Sequence, residues 1–188
     1  RLKDFNGKTT GSVNLSGLPN QSQGEVNIAS EQGTIAGQTF DNLKVKAVFK
    51  GTLVDLESGE IRVGEGLLSA KGSYDTSSTA FNLDVNGKAV PLPLAISFLP
   101  ESSNIPTISG AADFTAKATG EVDRPAGLNV NFNGNASNVV VNENTFGEVT
   151  FIGNTANQML NADLIATLDG RPQTIIASVN FGDENLPF

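Results

Sequence analysis

Residues 128–133 read Leu128-Asn129-Val130-Asn131-Phe132-Asn133. Every second side chain is apolar and every other one is asparagine. A helix would scatter this pattern around its axis. A strand sends successive side chains to opposite faces, so the stretch predicts a strand with one apolar and one wet face. The pattern repeats along the chain. Leu43, Val45, Ala47 and Phe49 alternate with Lys44, Lys46, Val48 and Lys50. Phe81, Leu83 and Val85 alternate with Asn82, Asp84 and Asn86, and Ala112, Phe114, Ala116 and Ala118 with Asp113, Thr115, Lys117 and Thr119. Leu160, Ala162, Leu164, Ala166 and Leu168 form another set; Ile175, Ala177, Val179 and Phe181 form the last. Roughly ten to thirteen strands at short, regular spacing predict an all-β, antiparallel chain.

Turn chemistry sets the expected breaks. Asn86-Gly87 and Asp169-Gly170 read as two-residue hairpin turns, since both pairs tolerate positive φ. Ser58-Gly59 reads as a break between two short strands, and Gly64 and Gly66 punctuate the approach to the next. Residues 90–100, VPLPLAISFLP, depart from alternation. Pro91 and Pro93 argue against a central strand. The stretch predicts one short helix near 94–99, with Pro93 at its first position and Pro100 as its stop, plugging one end of the sheet. Residues 101–107 read as a linker.

A faint internal repeat accompanies this order. Asn27-Ile28-Ala29-Ser30 is echoed by Gly134-Asn135-Ala136-Ser137, and Thr39-Phe40-x-x-Leu43-x-Val45 by Thr145-Phe146-x-x-Val149-x-Phe151. The 188 residues are therefore expected to be a single stretch, 1–188, of a longer repetitive β-structure, with possible repeats at about 11–100 and 108–188.

Composition excludes whole classes of chemistry. The chain has no His, no Cys and no Trp. Serine–histidine and cysteine–histidine catalysis, disulfides, and the usual zinc, haem and iron–sulfur sites go with them. The acids Asp55, Glu57, Glu60 and the pair Asp183-Glu184 do not fit a calcium loop, and no phosphate-binding glycine motif is present. No enzyme activity and no cofactor is expected. Net charge is −8, and the 12 basic residues form no runs, so nucleic acid is a poor partner. Alternation alone leaves two architectures open. The apolar face is either the dry core of a closed sandwich, with an opposing sheet ~10 Å away, or the lining of an open trough.

Five stretches in order resemble the TamB/AsmA-like family. They are Gly66-Leu67-Leu68-Ser69-Ala70-Lys71-Gly72-Ser73-Tyr74; the apolar strand at 81–85; the proline-bounded segment PLPLAISFLP; Ile108-Ser109-Gly110-Ala111-Ala112-Asp113-Phe114 through Gly120-Glu121-Val122-Asp123-Arg124-Pro125; and residues 128–134 leading into Val139-Val140-Val141 and Thr145-Phe146. The resemblance spans roughly residues 24–181 of the chain. It implies a long antiparallel, curled sheet folded into an open "β-taco", a trough or half-barrel with an apolar interior. It further implies a periplasmic module of a Gram-negative envelope, anchored to the inner membrane through a segment outside this stretch. Such a module would shield phospholipid or other acyl chains moving between the membranes. It would also support outer-membrane protein assembly and secretion with an Omp85-type partner. The lipid-facing side chains are then Leu43, Val45, Phe49, Phe81, Leu83, Val85, Phe114, Leu128, Val130, Phe132, Val149, Phe151, Leu164, Leu168, Ile175, Val179 and Phe181. The alternative expectation is a closed β-sandwich serving as a structural or adhesion spacer.

Overall fold

A computed structural model describes residues 5–17, 21–35, 38–97, 107–168 and 171–180. It is all-β apart from one short helix. In chain order the elements are β1 (Asn6–Ser16), β2 (Ser22–Ile35), β3 (Gln38–Phe40), β4 (Asn42–Gly51), β5 (Leu53–Val63), β6 (Gly66–Asp75), β7 (Ala80–Pro91) and α1 (Leu92–Ser97). Then follow β8 (Ile108–Glu121), β9 (Arg124–Val141), β10 (Asn144–Ala156), β11 (Met159–Leu168) and β12 (Arg171–Asn180). The strands form one antiparallel sheet in sequence order, with only β3 off the path, where it pairs with β2. The sheet is not closed: β1 stands at one edge and β12 at the other. The closed sandwich is therefore not the architecture. Among the described residues few apolar side chains reach full burial, because no second layer of described residues covers most of the sheet.

Two expected breaks are corrected. Asn86-Gly87 is not a turn; both residues lie inside β7, where Gly87 pairs with Phe114 of β8. A β-carbon on Gly87 would stand on the Phe114 ring, so the glycine makes room for an aromatic side chain. Ser58-Gly59 does not end a strand either. β5 runs through it with a bulge, its register shifting between Leu56 and Gly59. By contrast Gly64, at φ 57°, lies in the connection between β5 and β6, as its position suggested. The Asp169-Gly170 turn and the 101–106 part of the linker lie outside the described residues. Unforeseen two-residue turns sit at Asn142-Glu143 and Asn157-Gln158, all four residues at positive φ, between β9 and β10 and between β10 and β11.

The helix begins at Leu92, one residue before the Pro93 expected at its first position, and Pro93 still lies in the first turn where no N–H is needed. Phe98, Leu99 and Pro100 lie outside the described residues. α1 packs on β7 and β8. Leu94 and Val90 are each 2% exposed, and Leu92 packs against the cluster of Ala112, Ala136, Val139, Val149 and Ala166. Beside this cluster four neighbouring strands are irregular: β7 at Ala89, β8 at Gly110, β9 at Asn138 and β10 at Gly147, each at positive φ. Bulges bend a strand and raise its twist, so four aligned bulges curl this end of the sheet about the helix. The Ala89 N–H donates to the Asp113 carboxylate at 2.5 Å across that line.

A second, smaller covered site lies at the β1–β3 end. There Phe40 is buried and stacks on Phe5 at 5.7 Å, and the buried Ser30 hydroxyl donates to the Lys8 carbonyl at 3.0 Å. Leu43 of β4 pairs with Ser30 of β2, and Val149 of β10 with Ala136 of β9, one residue out of step with the echo of Ser30 in Ser137.

Candidate functional site

Pairing places the apolar residues in rows that cross the sheet. One row runs Gly11, Ile28, Val45, Gly59, Ala70, Val85, Ala116, Phe132, Gly153, Ala162 and Ala177. It spans β1 to β12 without a polar side chain. At roughly 4.8 Å per strand its ten steps cover about 48 Å. A flanking row runs from Leu43 through Ile61, Leu68, Gly87, Phe114, Gly134, Phe151 and Leu164 to Ile175. On the other side Leu83 and Val130 share a row through Ala118, and Phe49 reaches Phe81 through Val54 and Tyr74. No charged side chain stands in these rows.

The expected lipid-facing residues whose side chains are described fall on this single face. Leu43, Val45, Phe49, Phe81, Leu83, Val85, Phe114, Leu128, Val130, Phe132, Phe151 and Leu164 are half-buried along it. Val149 belongs to the buried cluster beneath α1 instead, and Ile175 near the far edge is half exposed. Leu168 and Val179 lie in β11 and β12, but their side chains, and the whole of Phe181, lie outside the described residues. Ile28, Leu56, Ile61 and Leu68 also belong to the face and were not singled out. The bulge in β5 explains two of them. It breaks the two-residue period between Leu56 and Gly59, so Leu56 and Ile61 fall out of step in sequence while sharing one face in space.

Phenylalanine and glycine interlock on this surface. The ring of Phe132 lies over Gly153, and the ring of Phe114 over Gly87. A β-carbon on Gly134 would come within 2.6 Å of Phe151 and 2.7 Å of Phe114. The rings lie down across neighbouring strands instead of standing up, which covers glycine backbone and smooths the face. Phe132 and Phe151 meet at 6.2 Å, a tilted aromatic pair.

The opposite face is polar. Lys46 pairs with Glu57 at 2.7 Å, Lys50 with Asp55 at 2.6 Å and Lys117 with Asp84 at 3.1 Å. Hydrogen bonding to their carboxylate partners raises the Lys46 and Lys50 amines above the usual lysine value. A furrow of about 500 Å³ runs on this side across β5 to β9 and joins one of about 430 Å³ across β1 to β4 at Ser58. Its floor is the backbone of the Val45–Val85–Ala116 row and its walls are Ser, Thr, Asn and mixed charges. Two of its lysines are already neutralised by the ion pairs above. It reads as the solvated back of a twisted sheet. Among the described residues no cluster of metal-ligating side chains occurs, and no helix is long and apolar enough to cross a membrane. Comparisons with protein-family models, with curated proteins and with solved structures gave no match.

Proposed function

We propose that this chain is a lipid-shielding module whose apolar sheet face receives the acyl chains of phospholipid or a similar amphiphile. The observation that carries the reading is the row through Phe132: eleven strands in succession contribute only apolar side chains or glycine, and among the described residues no second layer lies over the row. Its run of about 48 Å exceeds the ~15 Å occupied by the acyl chains of one leaflet. Each methylene withdrawn from water contributes about 0.8 kcal/mol, so a continuous apolar surface binds acyl chains without specific polar contacts. A charge-free binding face backed by a charged one lets the chains lie down while the outer side stays hydrated. The motif order shared with the TamB/AsmA-like family supports the same reading. On that reading the module works in the periplasm of a Gram-negative bacterium, in a longer protein anchored to the inner membrane, with an Omp85-type outer-membrane partner. It has no catalytic role.

The test is co-purification and native mass spectrometry of the chain with phospholipid, for the wild type and for Leu164→Asp and Ile175→Asp. Ile175 is 50% exposed, so its substitution should leave the fold intact, as circular dichroism would check. Loss of bound phospholipid in folded variants supports the reading. A wild-type protein that never retains phospholipid contradicts it.

A further inference from the structure

The ladders of the sheet repeat along the chain. Thr9 of β1 pairs with Ser30 of β2, and Ala112 of β8 with Ala136 of β9, offsets of 103 and 106 residues. The offset of 106 carries the Ser30–Leu43 pair of β2 and β4 onto the Ala136–Val149 pair of β9 and β10. It also carries Ala47–Leu56 onto Gly153–Ala162. Leu56–Gly72 of β5 and β6 then answers to Ala162–Ala177 of β11 and β12. The irregularities match as well: β1 shifts register between Gly7 and Thr9, and β8 between Ser109 and Ala111, within one residue of the corresponding place. Where the two sets differ in sequence, the differences are coupled. Gly11 pairs with Ile28, and their counterparts are Phe114 and Gly134. Val26 pairs with Ala47, and their counterparts are Phe132 and Gly153. In both cases one side chain grows where its partner shrinks. Close packing conserves volume at a site, so matched trades mark the pairs as equivalent.

One pair breaks the correspondence. Gly33 pairs with Phe40, and the Phe40 ring lies over the glycine, its Cζ 2.7 Å from where a β-carbon would stand. Phe40 is 1% exposed and closes that site. The counterparts are Val139 and Phe146, but Val139 pairs with Gly147, and Phe146 falls in the register shift between Thr145 and Gly147. Val139 is buried in the cluster against which Leu92 of α1 packs. We propose that β1–β6 and β8–β12 are two copies of one five-strand unit, and that Val139 turns into a seat for α1 the site that Phe40 closes in the first copy. β3 and β4 count as one strand, since both pair with β2 in a single register. Glycine at 33 admits a ring across the ladder. Valine at 139 excludes it, sends Phe146 into the bulge and leaves an apolar depression that the helix fills. Phe114, Phe151 and Leu164 of the apolar face pack against the same cluster. Val139 is thus a positioning residue: it sets where α1 stands on that face. The inference does not rest on the lipid reading.

Two experiments on the whole chain test the two parts. The first compares Val139→Gly with Val139→Ala by thermal melting and NMR. Inside a strand glycine ordinarily costs more than alanine. Here only glycine gives the Phe146 ring its place, so Val139→Gly should melt no lower than Val139→Ala. In Val139→Gly the α-protons at position 139 should move upfield, as the Phe40 ring current moves those of Gly33, and adding Phe146→Leu should abolish the shift. NOEs from Leu92 to the cluster of Ala112 and Ala136 should weaken in Val139→Gly and persist in Val139→Ala. A Val139→Gly chain that fails to fold or melts below Val139→Ala overturns the seat, and so do unshifted α-protons at 139. The second experiment moves the second copy's pair into the first. Val26 is half-buried, so the chain tolerates the change. Val26→Phe alone should lower Tm by overpacking Ala47, and adding Ala47→Gly should raise it again, as Phe132 fits over Gly153. Additive losses in the double variant overturn the equivalence of the two copies.

Discussion

The interlock of Phe114 with Gly87 yields a quantitative prediction. Gly87→Ala introduces a methyl group where the Phe114 ring now lies, with the ring's Cδ1 only 2.6 Å from the ideal β-carbon. The backbone at 87 is extended and pairs with Leu68 and Phe114, so alanine is conformationally acceptable there. Removing a glycine from the unfolded chain stabilises by about 0.4–1 kcal/mol. Overpacking against a ring costs about 1–3 kcal/mol. The net expectation is a destabilisation of about 0.5–2 kcal/mol, a fall of roughly 1–8 °C in Tm for a chain of this size. Gly59→Ala is the control. Gly59 lies in the adjoining row, and its nearest neighbours, Leu56 and Ala70, stand 3.7 Å and 3.8 Å from the ideal β-carbon, so the methyl fits. That variant should be neutral or stabilised by about 0.4–1 kcal/mol. The decisive assay is a double-mutant cycle in urea. Phe114→Ala vacates the space, so Gly87→Ala should cost little or become stabilising in that background, with a coupling of about 0.5–3 kcal/mol. Additive costs, or a Gly87→Ala variant more stable than the wild type, would refute the interlock.

Three further outcomes follow from the described contacts. Leu94→Ala should cost about 2–5 kcal/mol by chemical denaturation, since the side chain is 2% exposed beneath the curled end of the sheet. Asp113→Ala should lose about 0.5–1.5 kcal/mol and speed amide exchange at Ala89, whose N–H it accepts at the bulge. Asp75 accepts the Ser77 hydroxyl and N–H at 2.7 Å and 2.8 Å, and these hydrogen bonds hold its carboxyl below the usual aspartate value. A depressed folded pKa contributes stability that is present above the unfolded value and is lost as pH falls through the folded one. Carboxyl NMR titration should therefore place the Asp75 midpoint below 3.8, and Ser77→Ala should move it upward.

Much of this architecture was legible in the alternation, and the failures have physical causes. Leu128-Asn129-Val130-Asn131-Phe132 announced β9 because a single-layer sheet keeps one wet face along its whole length. The same logic grouped Leu43, Phe81, Phe114 and Leu164 on one side, since strand after strand pairs without shifting face. Asn86-Gly87 misled because glycine has two uses. It suits a positive φ, and it also leaves room for a neighbour's ring, and only the pairing with Phe114 decides between them. Ser58-Gly59 misled because a bulge and a turn share the same residues. Asn142-Glu143 and Asn157-Gln158 went unseen because neither pair contains glycine, although asparagine tolerates the left-handed region. The helix was placed by its prolines. Its seat under the bulges of β7 to β10 was not visible, because bulge positions depend on which strand lies alongside.

The most direct test of the lipid reading compares two adjacent residues of β9. A photo-crosslinking amino acid is placed at Phe132 or at Asn131 in the full-length protein in cells, and phospholipid adducts are sought on each. The two side chains share one strand and point to opposite faces. Adducts at Phe132 and none at Asn131 are the predicted result. Absence of phospholipid at both positions in folded protein, or equal labelling of the two, would contradict the account.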